Sequence, residues 1–349
     1  MMTLTPVSTA SGRPALKSIH ADPLESSAAS FYDLLMLIRR RFLACVALPV
    51  LSACNRSRQN IIGVVAKATS HLFFQAIHAG VNKAARDFSA AVLWNGPSEE
   101  TDHTRQIQIV DAMVTRRVDA MAISATDEHA LAASVQRAIN AGIPVTIFDS
   151  GVDVQDYVSF IATDNYAAGC TAARKLSALI GGKGAIGMLM HKPGGTSTVL
   201  REQGFEATLA IEFPLVSIAA RQFGMSDPAR SRAAGENMLT AHPDLAGMFA
   251  SSEASSIGAI HAIESRGLSG KVRLITFDSS DAHVKALKAG TIDLMLVQDP
   301  FRIGYEAVKS LTDKLAGKTP VKRLDLPARE ITRADLAQPE VQTPLSPPV

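Results

Sequence analysis

Val145-Thr146-Ile147-Phe148-Asp149-Ser150 and Leu274-Ile275-Thr276-Phe277-Asp278-Ser279 are two short apolar runs that each close on Phe-Asp-Ser. A β-rich run ending in an acid and a small polar residue reads as a strand opening into a loop. Around this pair, Val145 to Asp149 and Arg273 to Phe277, similar runs recur at Ile61 to Ala66, Ala91 to Trp94, Ala120 to Ser124, Val158 to Ala162, Ala185 to Met190, Gly247 to Ala250 and Leu294 to Val297. Amphipathic stretches lie between them, among them Phe74 to Phe88, Arg105 to Arg116, His129 to Ala141 and Ala254 to Arg266. In the second, Ile107, Val110, Met113 and Val114 repeat at the spacing of one buried helix face. Strands alternating with helices imply parallel sheets covered on both faces. So many strands exceed one small sheet, and the pattern predicts an α/β protein of two doubly wound parallel-sheet lobes with a ligand cleft between them. In open parallel sheets ligands sit beyond the carboxyl ends of the strands, so each lobe would offer one acid, Asp149 or Asp278, to that cleft. Taken singly, either Asp could equally be a helix N-cap.

Length and composition agree with this reading. The 349 residues suit two domains, and 47% hydrophobic with 19% charged residues describes a globular chain, neither disordered nor polytopic in a membrane. Net charge is +2, and residues 1–54 hold five basic and three acidic groups, so the remainder is balanced. A neutral body with one Trp and four Tyr lacks the basic footprint of a nucleic-acid binder. Cys45, Cys54 and Cys170 cannot build a disulfide scaffold, and Cys170 is expected to pack on a buried helix.

Arg39-Arg40-Arg41, the apolar run Phe42 to Leu51 and then Leu51-Ser52-Ala53-Cys54 have the order of an export signal: positive segment, short apolar segment, small-residue cleavage site. The apolar run is too short to span a bilayer. Leu-Ser-Ala-Cys resembles the lipobox of bacterial lipoproteins, which implies that Cys54 is lipidated and becomes the first mature residue. Arg39 to Leu43 also partly resembles a twin-arginine signal, which leaves the export route open. Met36 is the expected translation start. The expected organisation is therefore a leader and signal over 1–54 and a polar tether over 55–60, with the protein lipid-anchored at the outer face of the cytoplasmic membrane or in the periplasm.

Beyond these physical readings, the ordered set Ile61 to Lys67, Phe73-Phe74, Ile143-Pro144-Val145 leading to Asp149, Thr163-Asp164-Asn165, Thr240 to Asp244, Phe277-Asp278 and Gln298 resembles the ribose-type periplasmic binding proteins. The resemblance spans roughly residues 60–326. It implies a type I solute-binding protein of an ABC importer, a monomer without cofactor or catalysis, that closes two lobes on a sugar and presents it to a membrane permease. It also implies three crossovers, near Thr163, Gln298 and Leu326. One lobe would then comprise 61–163 plus 299–327 and the other 164–298 plus 328–340, followed by a tail over 341–349.

Carried over position by position, the resemblance implies that Phe73 and Phe74 wall the apolar face of a sugar ring, Asp149 and Asp278 accept hydroxyl protons, Arg201 donates a paired contact and Gln298 supplies a hinge-side amide. These residue types suit sugars, since planar charged groups bond adjacent hydroxyls and aromatic faces cover C–H patches. Other positions depart from the ribose pattern: Ser150 replaces an Arg, Met225 or Ser226 stands for a pocket aromatic, Ser252 replaces an Asn, and Lys67 and His71 replace smaller polar residues. Lys67, Phe73-Phe74, Trp94 to Glu99 and Phe223 to Asp227 are closer to the branch binding rhamnose and autoinducer-2, although Leu200-Arg201 replaces that branch's polar pair. A monosaccharide or related polyol is the expected ligand, with autoinducer-2 or a receptor-coupled sensory role as the alternative.

Other motifs fail on context. Gly182-Lys183-Gly184-Ala185-Ile186-Gly187 matches G-x-G-x-x-G but precedes a strand, against dinucleotide binding. Gly317-Lys318-Thr319 has Thr312 where a phosphate loop requires Gly. The histidines, His191 included, show no metal-ligand spacing, and no G-x-S-x-G elbow is present. An enzyme on this fold lacks a nucleophile-and-base pair, and a LacI-type effector domain would need a helix-turn-helix where an export signal stands.

Overall fold

In the computed structural model residues 59–338 are described. Cys54, the leader, most of the tether and the 341–349 tail lie outside them. Twelve strands are found among the described residues: β1 Ile61–Val65, β2 Ala91–Asn95, β3 Ala120–Ile123, β4 Val145–Phe148, β5 Phe160–Thr163, β6 Gly184–Met190, β7 Val216–Phe223, β8 Gly247–Ala250, β9 Arg273–Phe277, β10 Leu294–Val297, β11 Arg323–Leu326 and β12 Arg329–Ile331. The helices are α1 Leu72–Asp87, α2 His103–Thr115, α3 Ala132–Asn140, α4 Asn165–Leu179, α5 Thr196–Glu212, α6 Pro228–Ala241, α7 Glu253–Ser265, α8 Asp281–Ala289 and α9 Pro300–Leu315.

The strands form two six-stranded sheets, ordered β11-β5-β4-β3-β1-β2 and β12-β10-β9-β8-β6-β7. The first is parallel throughout, and the second is parallel except for β12, which runs antiparallel to β10. This is the α/β, doubly wound architecture of a type I periplasmic binding protein. Central strands β3, β4, β8 and β10 are buried along their whole length, as helices on both faces require. In the first lobe Ile62, Val64 and Phe148 pack on one side with Ile77 and Ile303, and Val65, Met121 and Ile147 pack on the other with Val110 and Val135. The second lobe repeats the plan, with Ile186, Phe249 and Ile275 on one face and Leu189, Met248 and Leu274 on the other. The chain passes between sheets three times, after β5, after β10 and after β11.

Three strands carry no apolar run and escape a sequence reading. β7 is an edge strand with mostly part-exposed residues and a register shift at Ile186/Gly187 of its neighbour, while β11 and β12 are short and alternate with Arg323, Asp325, Arg329 and Glu330. The helix expected from His129 begins only at Ala132, because Asp127 accepts from the backbone N–H groups of His129 and Ala130 and holds that segment as a turn. The strand expected from Val158 begins at Phe160. Cys170 is a half-buried free thiol on α4, not fully buried. No helix among the described residues is long and apolar enough to cross a membrane.

Close helix contact seats one functional side chain. A Cβ on Gly169 of α4 would lie 1.9 Å from the carbonyl oxygen of Arg201 on α5, and one on Gly204 would lie 2.2 Å from that of Tyr166. Only glycine allows these backbones to approach so closely, and the approach sinks Arg201 to 2% exposure.

Candidate functional site

The two sheets turn their carboxyl ends toward each other. Lys67 follows β1, Asp149 follows β4, His191 follows β6, Ser252 follows β8, Asp278 follows β9 and Gln298 follows β10. All six are buried and all line one central space, together with His71, Phe73, Phe74, Glu100, Ser197, Thr198, Arg201 and Glu253. Asp149 and Asp278 adopt the left-handed backbone, φ 57° and 70°, a conformation rare outside glycine, so each strand end bends sharply to present its carboxylate.

On the first lobe Asp149 Oδ2 meets the Lys67 ammonium at 3.0 Å and accepts from Ser124 Oγ at 2.7 Å. Lys67 Nζ also lies 3.7 Å from Glu100 and donates to Ser197 Oγ at 3.3 Å across the cleft. Burial opposes the charge on Lys67, but Asp149 and Glu100 outweigh it and raise its pKa. The same balance acts on Glu100: burial would raise its pKa, yet Lys67 and His191 hold it well below the usual carboxylate range. His71 approaches Glu100 at 3.4 Å, and that contact lifts its pKa against the effect of burial.

His191 behaves differently. Burial lowers its pKa more than Glu100 raises it, so the ring is neutral at pH 7. A carboxylate only accepts, so Nε2–H donates to Glu100 at 2.9 Å and Nδ1 accepts from Ser252 Oγ at 2.9 Å. Ser252 also caps α7 in a reciprocal capping box with Ser255.

On the second lobe Asp278 is held by neutral donors, Gln298 Nε2 at 2.7 Å and the backbone N–H of Glu253 at 3.0 Å, and burial raises its pKa. The Glu253 carboxyl is pushed up to about 7, by burial first and then by Asp278. Its Oε2 accepts from the backbone N–H of Phe73 at 3.3 Å, a second contact across the cleft. Arg201 lies over the Phe277 ring, 3.2 Å from its centroid, and donates to Ser251 O and to Asn165 Oδ1. Burial lowers its pKa to about 10, and its Nε is buried without a partner. Behind it Glu202 accepts from Ser251 Oγ and His191 N, and burial raises its pKa to about 7.

Two sides of the central space are sealed. At the crossovers Thr163 Oγ1 donates to Gln298 Oε1 at 2.5 Å. On a second side the loop over residues 191–196 clasps the first lobe: Lys192 Nζ donates to Thr126 O, the backbone N–H of Glu128 to Gly194 O and Thr196 Oγ1 to Glu128.

The structure thus gathers Lys67, His71, Phe73, Phe74, Asp149, Arg201, Ser252, Asp278 and Gln298 around one space. Ser150 stands behind it, accepting from Ser197 N at 3.4 Å. Phe74 doubles as core, 1% exposed. Arg201, expected as a paired donor to a ligand, already directs two nitrogens to protein oxygens. Met225 and Ser226 do not line the central space but a neighbouring cavity, because the turn after β7 bends away. Glu100, His191, Ser197, Thr198 and Glu253 were not legible as site residues. His191, Ser252 and Gln298 share one signal, the position directly after an apolar strand.

Comparison with known proteins agrees with the architecture. A family model described as periplasmic binding protein domain matches residues 62–319. The ribose import binding protein of Bacillus subtilis is 26% identical over 80% of this chain and 89% of its own. A carbohydrate transporter solute binding protein from Agrobacterium radiobacter, solved in complex with D-arabinose, superposes with a TM-score of 0.80 at 30% identity, covering 83% of this chain and 99% of that one. An ABC transporter solute binding protein from Agrobacterium vitis, bound with α-D-tagatopyranose, gives 0.78 at 28% identity, covering 81% and 98%.

Proposed function

Because this chain belongs to the periplasmic binding protein family, we propose that it is the substrate-binding component of an ABC sugar importer, taking a monosaccharide or related polyol between its lobes. The carrying observation is the meeting of Lys67 and Asp149 from one sheet with Arg201, Asp278 and Gln298 from the other, beside Phe73 and Phe74. Acids and amides at opposed strand ends accept and donate to several hydroxyls at once, and the aromatic pair covers the ring's C–H face. Relatives named for ribose, arabinose and tagatose support a sugar as ligand.

Mechanistically, the cross-cleft bonds Lys67–Ser197 and Glu100–His191 now fill much of the central space, about 30 Å³ remaining. A sugar ring enters as these contacts part, and its hydroxyls then bridge the same groups. Such a ligand binds the closed arrangement better and shifts the population toward it, which signals occupancy to a permease. The lobes in this reading are 61–163 with 299–327 and 164–298 with 328–340, hinged at the three crossings. The chain acts as a monomer, tethered through a lipid on Cys54 outside the cytoplasmic membrane.

Titration calorimetry with D-ribose, D-arabinose and D-tagatose tests the reading. Saturable binding to at least one is expected, weakened by about 1 to 3 kcal/mol in Asp149→Ala through an unpaired hydroxyl. Heat from none of a broad monosaccharide and polyol panel would overturn it.

A further inference from the structure

We propose that the ligand is an extended sugar, whose first ring occupies the central space and whose second, uncharged ring occupies the adjoining cavity walled by Leu72, Thr101, Met225, Ser226 and Ile257. This rests on the sugar-binding reading and narrows its substrate class to disaccharides and similar glycosides. The cavity measures about 390 Å³, against about 30 Å³ for the central space, and falls in the size range of small-molecule sites, about 300 to 1,000 Å³. The two are contiguous, sharing His71, Glu100, Glu253 and Ala254. Gln298 with Thr163 closes the crossover side and the Lys192 loop closes another, so a ligand longer than one ring extends through the side where this cavity lies.

The cavity is built from both lobes, by the start of α1 and the segment after β2 on one side and by the turn before α6 and the first turns of α7 on the other. Met225 and Ser226, consecutive and neither of them glycine, have φ 57° and 59°. Two successive left-handed residues are a strained turn, of the kind that persists where surrounding structure fixes it. That turn sets Ser226 in the cavity wall, 9% exposed, its Oγ buried and without a hydrogen-bond partner.

Chemistry selects the occupant. Leu72, half exposed, with Met225 and Ile257 gives an apolar surface, and Ser226 offers an unpaired hydroxyl, together matching the two aspects of a sugar ring. Glu99, Glu100, Asp227 and Glu253 outnumber Arg230 and His71 around it. A phosphate or carboxylate on the extension would meet this excess of acids, so the second unit is uncharged.

The test is calorimetry on the described chain with whichever of D-ribose, D-arabinose and D-tagatose binds tightest, or the tightest monosaccharide of the wider panel. That sugar is compared with disaccharides carrying it at either end and with its phosphate ester. At least one disaccharide should bind within tenfold of the free sugar or more tightly, and the phosphate ester more than tenfold more weakly. Ile257→Trp and, at the exposed rim, Leu72→Trp should each weaken the disaccharide at least tenfold and leave the free sugar within twofold, which also reports folding. If every disaccharide binds more than tenfold more weakly than the free sugar, or both Trp variants weaken the two alike, the extended site is wrong while the sugar-binding reading stands. Equal binding of the phosphate ester would overturn the uncharged occupant. If no sugar of either length binds, both readings fall together.

Discussion

Asp149 and Asp278 occupy equivalent strand ends in the two lobes, with the same left-handed backbone, yet they are held by different means. Asp149 faces a buried ammonium, whereas Asp278 is held by an amide and a backbone N–H and has a second carboxyl, Glu253, beside it. One fold, used twice, therefore sets two electrostatic environments. The position of the acid comes from the sheet, and its charge state comes from whichever residues the neighbouring loops deliver.

The largest expected effect is from Lys67→Met. It would leave Asp149 and Glu100 buried without their cation and destabilise the protein by about 3 to 5 kcal/mol near neutral pH, read by chemical denaturation. On the other lobe Gln298→Leu should cost less, about 1 to 3 kcal/mol, since it removes one neutral donor from Asp278. Equal losses in the two variants would erase the contrast between the lobes.

Acidity sharpens it further. The folded pKa of Glu100 lies below its unfolded value of about 4.5, so its contribution is present above that value and is lost as pH falls through the folded pKa. Glu202 is the reverse: raised to about 7, it contributes fully below about 4.5, and that contribution is lost as pH rises through 7. Relative to the unmodified protein, Glu202→Gln should gain about 1 to 3 kcal/mol between pH 5 and 8.5, and Glu100→Gln should lose stability on going from acid to neutral pH. Parallel pH profiles for the two variants would break the pattern. The smallest expected effect comes from surface pairs. Lys83→Ala on α1 and Arg232→Ala on α6 remove solvent-exposed ion pairs, and neither should move the denaturation midpoint measurably.

How far the sequence discloses this molecule follows from the same physics. Buried parallel strands have to be apolar throughout, so β1, β3, β4, β8 and β10 can be seen directly, as can the paired Phe-Asp-Ser ends. Edge strands need only one covered side and short pairing, so β7, β11 and β12 leave no such trace. The site divides likewise. Residues at strand ends are fixed by topology and can be located from sequence. Glu100 and Glu253 arrive from a loop and a helix start, and only the meeting of the two lobes shows that Glu100 lies 2.9 Å from His191. Met225 and Ser226 were placed one cavity away from expectation because a turn with two positive φ angles has no sequence signature without glycine.

The strand order also fixes when this protein can become itself. β11, Arg323–Leu326, pairs with β5, Phe160–Thr163, and α9 packs under the first sheet only after the whole of the second lobe's β6 to β10 has been made. A chain synthesised from its amino end therefore cannot finish its first lobe first, as consecutive domains do. Both lobes wait for the last tenth of the polypeptide, high contact order slows their completion, and the nascent chain stays loose enough to be threaded until Leu326 and Ile331 have emerged.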